Sequence, residues 1–139
     1  ASLSCAMSTT RKFIPTKEWE DERQLRGLDG ERAALAYLTA CGWSIEAHRF
    51  KLGRHDIDLI VRRGDVVAFV EVKTRRGAAF GTPVESVDRR KRQAVAKVAA
   101  LWLLRFGRAK DSYRFDVVAV HEGKGGARRI EHIEDAWRG

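Results

Sequence analysis

The sequence predicts an α/β fold of the mixed α+β kind, with one mixed β-sheet flanked by helices in the order αβββαββ. Three observations carry this. Leu28, Glu31, Leu35 and Leu38 recur at spacings of three and four, and Gly42 follows as a helix stop. Residues 43–50, 55–62 and 66–74 are β-patterned runs, the last two rich in Val, Ile, Leu or Phe, and read as strands. A second helical stripe, Val87, Lys91, Val95, Val98 and Trp102, then precedes two more strand-like runs, 113–121 and 128–133.

The elements follow in order. Residues 1–26 are expected to be an N-terminal tail, aperiodic and mobile to about residue 15, with room for a short helix over 16–26. Gly27 and Gly30 should weaken any continuation of that helix. Residues 27–139 form the single domain, because 139 residues supply about one core. The first helix spans about 28–41. Arg63-Gly64, or a slightly longer turn, joins the second and third strands as a hairpin. Residues 75–81 read as a loop. Thr82-Pro83-Val84-Glu85 resembles a capping box with Pro at the first helical position, opening a helix that runs to about Phe106. The glycine-rich residues 123–126 lack a phosphate-loop pattern and read as a hairpin turn.

Composition excludes several classes. With 44% hydrophobic and 33% charged residues the chain is globular in type, not wholly disordered. No apolar run approaches the roughly 18 residues that cross a bilayer, and residues 1–6 carry no basic region of a signal peptide. Cys5 and Cys41 cannot build a disulfide framework or a four-ligand zinc site, and are expected to be free thiols in a reducing cytoplasm. The net charge is +8. Residues 49–92 hold 12 basic and 6 acidic groups, so most of the excess lies in the middle third. A phosphate-rich partner suits that surplus, as does a merely solvated basic surface.

Chemistry concentrates in the hairpin. A two-residue loop at Arg63-Gly64 would set Asp58 opposite Phe69. Phe69, Glu71 and Lys73 then share a face with Asp58, and Asp58 and Glu71 become diagonal neighbours within reach of one cation. A carboxylate pair suits a hard divalent ion such as Mg²⁺, and the Val72 carbonyl can add an oxygen. Lys73 can position water or stabilise charge on phosphorus. A surface cross-strand ion pair is the plainer alternative. Glu31 occupies the leucine stripe, where a carboxylate must be paired, protonated or on a metal, unless it simply sits half-exposed at the helix start. Lys91 interrupts the second stripe, and snorkelling near the helix start would also account for it. The four histidines lack zinc spacing and read as surface or hydrogen-bonding residues, with His55 able to line the site. Trp19, Trp43, Trp102 and Trp137 read as core or anchors. Asp116 reads as a buried acceptor or as support for the site.

These segments resemble the YraN-like bacterial family. The resemblance rests on Gly30-Glu31…Ala36-Tyr37-Leu38, Asp56-Ile57-Asp58-Leu59-Ile60, Phe69-Val70-Glu71-Val72-Lys73-Thr74-Arg75, Phe80-Gly81-x-Pro83, Arg114-Phe115-Asp116-Val117-Val118 and His132-Ile133-Glu134-Asp135-Ala136. It covers about residues 27–137. The resemblance implies a restriction-endonuclease-like core of the PD-(D/E)XK superfamily, near archaeal Holliday-junction resolvases. It further implies metal ligation by Asp58 and Glu71, help from Glu31, and a catalytic Lys73. Where the family reads Gly-Glu before Ile-Asp, this chain has His55-Asp56.

The expected protein is a Mg²⁺- or Mn²⁺-dependent nuclease acting on nucleic acid, on DNA rather than RNA, with branched DNA among the candidate substrates. Asp58, Glu71 and Lys73 are the catalytic candidates, and Asp58, Glu71, Glu31 and the Val72 carbonyl the metal ligands. Arg49, Lys51, Arg54, Arg75, Arg76 and Lys91 are the candidate phosphate contacts. A non-catalytic nucleic-acid-binding module and a basic protein-interaction module compete with this reading. Resolvase-like folds often work as symmetric dimers, which leaves a homodimer open.

Overall fold

Helix α1 runs Glu22–Ala40 in the computed structural model, which describes residues 22–76, 88–123, 125 and 127–138. The helix continues through Gly27 and Gly30, where the sequence suggested a weak point. Gly30 is buried, and a Cβ there would overlap the Thr74 hydroxyl. The glycine thus lets the helix lie close to a strand, and tertiary packing outweighs its low helix propensity. Ala34, Leu35 and Leu38 form the buried face. Gly42, at φ +92°, turns the chain out of the helix, and the Trp43 N–H donates to the Leu38 carbonyl at 3.0 Å.

Five strands follow: β1 Ser44–Leu52, β2 His55–Arg63, β3 Val66–Arg76, β4 Ser112–Glu122 and β5 Arg128–Trp137, with helix α2, Arg89–Phe106, between β3 and β4. They form one sheet in the order β1-β2-β3-β4-β5. All neighbours are antiparallel except β3 and β4, which are parallel and need α2 as their crossover. The mixed sheet and the order αβββαββ are as the sequence predicts.

Each face of the sheet has its own core. Leu59, Val61, Ala68, Val70 and Val118 pack under α1 with Trp43. Ile57, Ile60, Val67, Phe69, Phe115, Val117 and Trp137 pack under Val95, Val98 and Trp102 of α2. The helices therefore cover opposite faces, and the sheet is the middle of three layers. Of the tryptophans read as core, Trp43, Trp102 and Trp137 are buried, and Trp19 lies outside the described residues.

Several boundaries differ from expectation. The loop joining β2 to β3 is Gly64-Asp65, because Arg63 pairs with Val66 and Gly64 takes the left-handed conformation, φ +62°. This moves the register by two from the expected Arg63-Gly64 loop. Helix α2 begins after Asp88, whose extended backbone and carboxylate, accepting the Lys91 N–H at 2.8 Å, cap it. The motif Thr82–Glu85 and the apolar Val87 lie outside the described residues, as do 1–21 of the expected tail and 77–81 of the expected loop; residues 22–26 join α1, and Arg75 and Arg76 end β3. β5 extends past Ile133 to Trp137. Cys41, half-buried just after α1, is disulfide-bonded, so the free-thiol expectation fails for it, and Cys5 lies outside the described residues. Among the described residues no helix is long and apolar enough to cross a membrane.

The contact at Gly30 can be tested by a double-mutant cycle. Ala should gain about 1 kcal/mol over Gly inside a helix. In Gly30→Ala that gain should be cancelled by overlap with Thr74, and it should reappear when Thr74→Ala is added. Denaturant unfolding of the four proteins measures the coupling; strict additivity would mean that the two residues do not constrain each other.

Candidate active site

The β2–β3 ladder runs from Arg63↔Val66 to Leu59↔Val70 and stops. One residue further, Asp58 accepts the Val72 N–H on its carboxylate oxygen Oδ2 at 2.9 Å. A side chain has taken the place of a strand carbonyl. Side-chain alternation breaks at the same point, because Ile57 and Ile60 both pack under α2 while Leu59 packs under α1. With the observed register Asp58 stands level with Glu71, directly across and not diagonal. The slip of two residues preserves parity on β3, so the faces expected for Glu71 and Lys73 hold, whereas Asp58 sits where the alternation of β2 breaks. Glu71 and Lys73 follow Phe69 onto the α2 face.

Two lysines flank Glu71. Lys73 Nζ lies 3.7 Å and Lys91 Nζ 3.5 Å from Glu71 Oε1. Lys91 comes from the first turn of α2 and is half-buried, so the sheet and helix close on Glu71 from two sides. Burial pushes the Asp58 carboxyl up to about 7, the neighbouring Glu71 charge adds to this, and the Val72 hydrogen bond opposes it. Burial also raises Glu71, while Lys91 and Lys73 pull it back. The pair therefore resists carrying two negative charges unless a cation joins it.

Glu31 is 5% exposed on α1 and already has partners. His48 Nε2 lies 2.8 Å from its Oε1, and the Arg49 guanidinium donates to Oε2 at 2.9 Å. Burial acts to raise this carboxyl, but the bonds from His48 and Arg49 prevail and hold it below the usual range. Consecutive residues of a regular strand point to opposite faces. Both reach Glu31 because Arg49 has a left-handed backbone, φ 53°, and β1 carries a bulge between Ile45 and Ala47. Glu31 still raises the Asp58 pKa through its charge, as does Asp56.

The donor set fits a divalent ion in part. Mg²⁺ takes oxygen ligands, is often held by one or two carboxylates, and keeps several waters. Asp58 and Glu71 supply that pair, largely buried and mutually repelling. Glu31 is engaged by His48 and Arg49, and among the described residues no group of three His, Cys, Asp or Glu side chains has a metal-holding arrangement.

The remaining expected site residues fall in three places. Lys51, Arg54 and His55 are exposed at the β1–β2 turn. Arg49 is paired with Glu31, and Lys91 faces Glu71 instead of open solvent. Arg75 is half-buried with its Nε unpartnered, and the Arg76 side chain lies outside the described residues. Asp116 is fully buried on the α1 face, where it accepts from Arg114, from His132 at 2.7 Å and from the Asp135 N–H at 3.0 Å. It is the buried acceptor the sequence suggested. The role of His48 was not visible in the sequence; Lys91 did leave a signal, a cation on an apolar stripe.

A sequence profile of the uncharacterised protein family UPF0102 matches residues 30–120. A UPF0102 protein of Symbiobacterium thermophilum is 44% identical over 111 residues, covering 80% of this chain and 94% of the relative. Another, from Rhodococcus jostii, is 41% identical with the same coverage. A third, from Geobacter sulfurreducens, is 36% identical over 124 residues, covering 89% of this chain and 97% of its own.

The electrostatics of the pair predict a pH dependence. Asp58 binds its proton up to about pH 7 in the folded chain, whereas its ordinary value is 3.8. Over that window the folded state holds more protons than the unfolded one, so stability should fall as pH rises from about 4 to about 7. Replacing Asp58 by asparagine would keep an acceptor for the Val72 N–H without the charge. Asp58→Asn should flatten the slope and raise stability at pH 8 by on the order of 2 kcal/mol. Thermal unfolding across pH checks this, and parallel curves for the two proteins would contradict it.

Proposed function

The chain belongs to the UPF0102 family, and from the geometry of Asp58, Glu71 and Lys73 we propose a metal-dependent nuclease-like protein that binds nucleic acid and hydrolyses phosphodiesters, DNA in the first instance. The observation that carries this reading is the facing acid pair at a strand break, with a lysine two residues along the same strand. The pattern Asp58…Glu71-x-Lys73 is that of the PD-(D/E)XK superfamily, and we take the chain as a member of it.

Asp58 and Glu71 would hold Mg²⁺ or Mn²⁺, the Val72 carbonyl adding an oxygen. Such an ion would polarise the scissile phosphate and activate water when bound. Lys73 would stabilise the negative charge that develops on the phosphoryl oxygens. Lys91, on the other flank of Glu71, balances the carboxylate and would be a further contact for the phosphate. Glu31 contributes negative potential at Asp58 and, bonded to His48 and Arg49, anchors α1 to β1. The exposed Lys51 and Arg54 would carry phosphate contacts beyond the site. A binding module without turnover is favoured by one observation, the engagement of Glu31 by His48 and Arg49, which leaves two carboxylates for the ion.

Titration calorimetry and a cleavage assay on linear, single-stranded, flapped and four-way DNA should separate these. Mg²⁺ or Mn²⁺ should bind the wild type and Lys73→Ala, but not Asp58→Asn. Lys73→Ala should lose cleavage by at least about a hundredfold. Absence of metal binding even with DNA present would leave the binding module. Affinity for DNA should also fall steeply with salt, since phosphate contacts release counterions. A flat log–log plot would favour an acidic protein partner instead.

A further inference from the structure

The strand register aligns three aromatic residues across the α2 face: Phe69 on β3, Phe115 on β4 and Trp137 on β5. Phe69 and Phe115 have centroids 5.7 Å apart, and Phe115 and Trp137 are stacked at 4.1 Å. The row starts two residues before Glu71. It ends at a cavity of about 440 Å³ where β4 begins and β5 ends, lined by Tyr113, Phe115, Asp135, Trp137 and Arg138 among others. That volume lies within the range of small-molecule sites, about 300–1,000 Å³.

Two features of the cavity are not explained by packing. Tyr113 is 55% exposed, with one edge against Phe69 and Phe115. Trp137 is only 6% exposed, yet its buried Nε1–H has no hydrogen-bond partner. A buried donor is costly to leave unmet, and Trp137 is one of the residues lining the cavity. Arg138 also lines a second cavity, of about 380 Å³, with Arg89, Arg92 and Gln93 from the first turns of α2. The Arg92 guanidinium lies over the Trp137 ring, 5.9 Å from its centroid. Lys91, in the same turn, reaches Glu71. Acid pair, arginines and aromatic cavity thus form one strip over the start of α2.

A flat ring bearing hydrogen-bond acceptors, joined to phosphates, satisfies every part of this strip. That is a nucleotide. Within a continuous duplex the bases are stacked and unavailable, so only an unpaired nucleotide can enter. Resting on the nucleic-acid reading above, the geometry points to a substrate with a single-stranded segment beside the scissile phosphate. One unpaired base occupies the Tyr113–Trp137 cavity and accepts from the Trp137 indole, while Arg89 holds a flanking phosphate, joined by Arg138 once it exchanges its 2.8 Å bond to Asp135 for the phosphate.

The test is binding in EDTA, so that cleavage does not enter. Three labelled DNAs are compared by fluorescence anisotropy: a blunt duplex, the same duplex with a single-stranded overhang, and the overhang strand alone. A 2-aminopurine in the overhang reports stacking. The overhang duplex should bind more tightly than the blunt one, with quenching of 2-aminopurine. Tyr113→Ala, at an exposed position, should weaken the overhang duplex and the single strand about tenfold and leave the blunt duplex unchanged. Trp137→Phe, which keeps a ring and removes the donor, should act in the same direction, with thermal unfolding as the check on folding. Equal affinity of the wild type for blunt and overhang duplexes, or no effect of Tyr113→Ala, would overturn the inference and leave the nuclease reading standing. Failure of all three DNAs to bind would overturn both.

Discussion

A buried strand N–H must find an acceptor, and at Val72 it finds the carboxylate of Asp58 in place of a carbonyl on β2. That substitution ends the β2–β3 ladder after Leu59↔Val70 and brings an acid into the interior of the sheet. The disturbance extends to the other neighbour. Arg49, flanked by the pairs His48↔Leu59 and Phe50↔Ile57, stands level with Asp58 on β1 and has a left-handed backbone. Three strands are therefore irregular along one line. The line is where the acids and the lysines meet Glu31 from the middle of α1, while β3 keeps its pairing with β4 and the apolar cores persist on both faces.

Charge around the break is divided into two separate balances. Glu31 is satisfied by His48 and Arg49 and stays ionised despite its burial. Asp58 and Glu71 are not satisfied in this way: each is disfavoured as an anion, opposed at Asp58 by the Val72 N–H and at Glu71 by the two lysines at 3.5 and 3.7 Å. A strained electrostatic arrangement of this kind is retained where function uses it. The fully buried Asp116, also held by a His and an Arg, shows the contrasting case of an acid whose acceptors are all met.

Much of this was legible in the sequence because it depends on periodicity. Leu35 and Leu38, the Val-rich strands and the stripe Val95, Val98 and Trp102 place themselves by spacing alone. The face that Glu71 and Lys73 share with Phe69 also followed from parity, although the turn was misplaced and the register with it, and the break at Asp58 was not foreseen. What spacing could not give was anything fixed by contact between distant segments. Gly30 reads as a helix weakness in isolation, and only the approach of Thr74 gives it a purpose. His48 and Arg49 would be assigned opposite faces in any regular strand, so their joint hold on Glu31 depends on a backbone conformation that arginine rarely adopts.

The Gly64-Asp65 turn has a consequence for how the chain tolerates changes of length. Arg63 and Gly64 are exposed there, and surface hairpin tips ordinarily accept insertions. This one is constrained by the site further along β3. One added residue, if carried into β3, would turn Glu71 and Lys73 to the face under α1 and bring Val70 and Val72 beneath α2. Two added residues would restore the faces but move Glu71 out of line with Asp58 and leave the Asp58 carboxylate opposite a different N–H. Only an insertion looped out whole at the tip would keep Asp58 level with Glu71, so the length of this turn governs an acid pair that it does not touch.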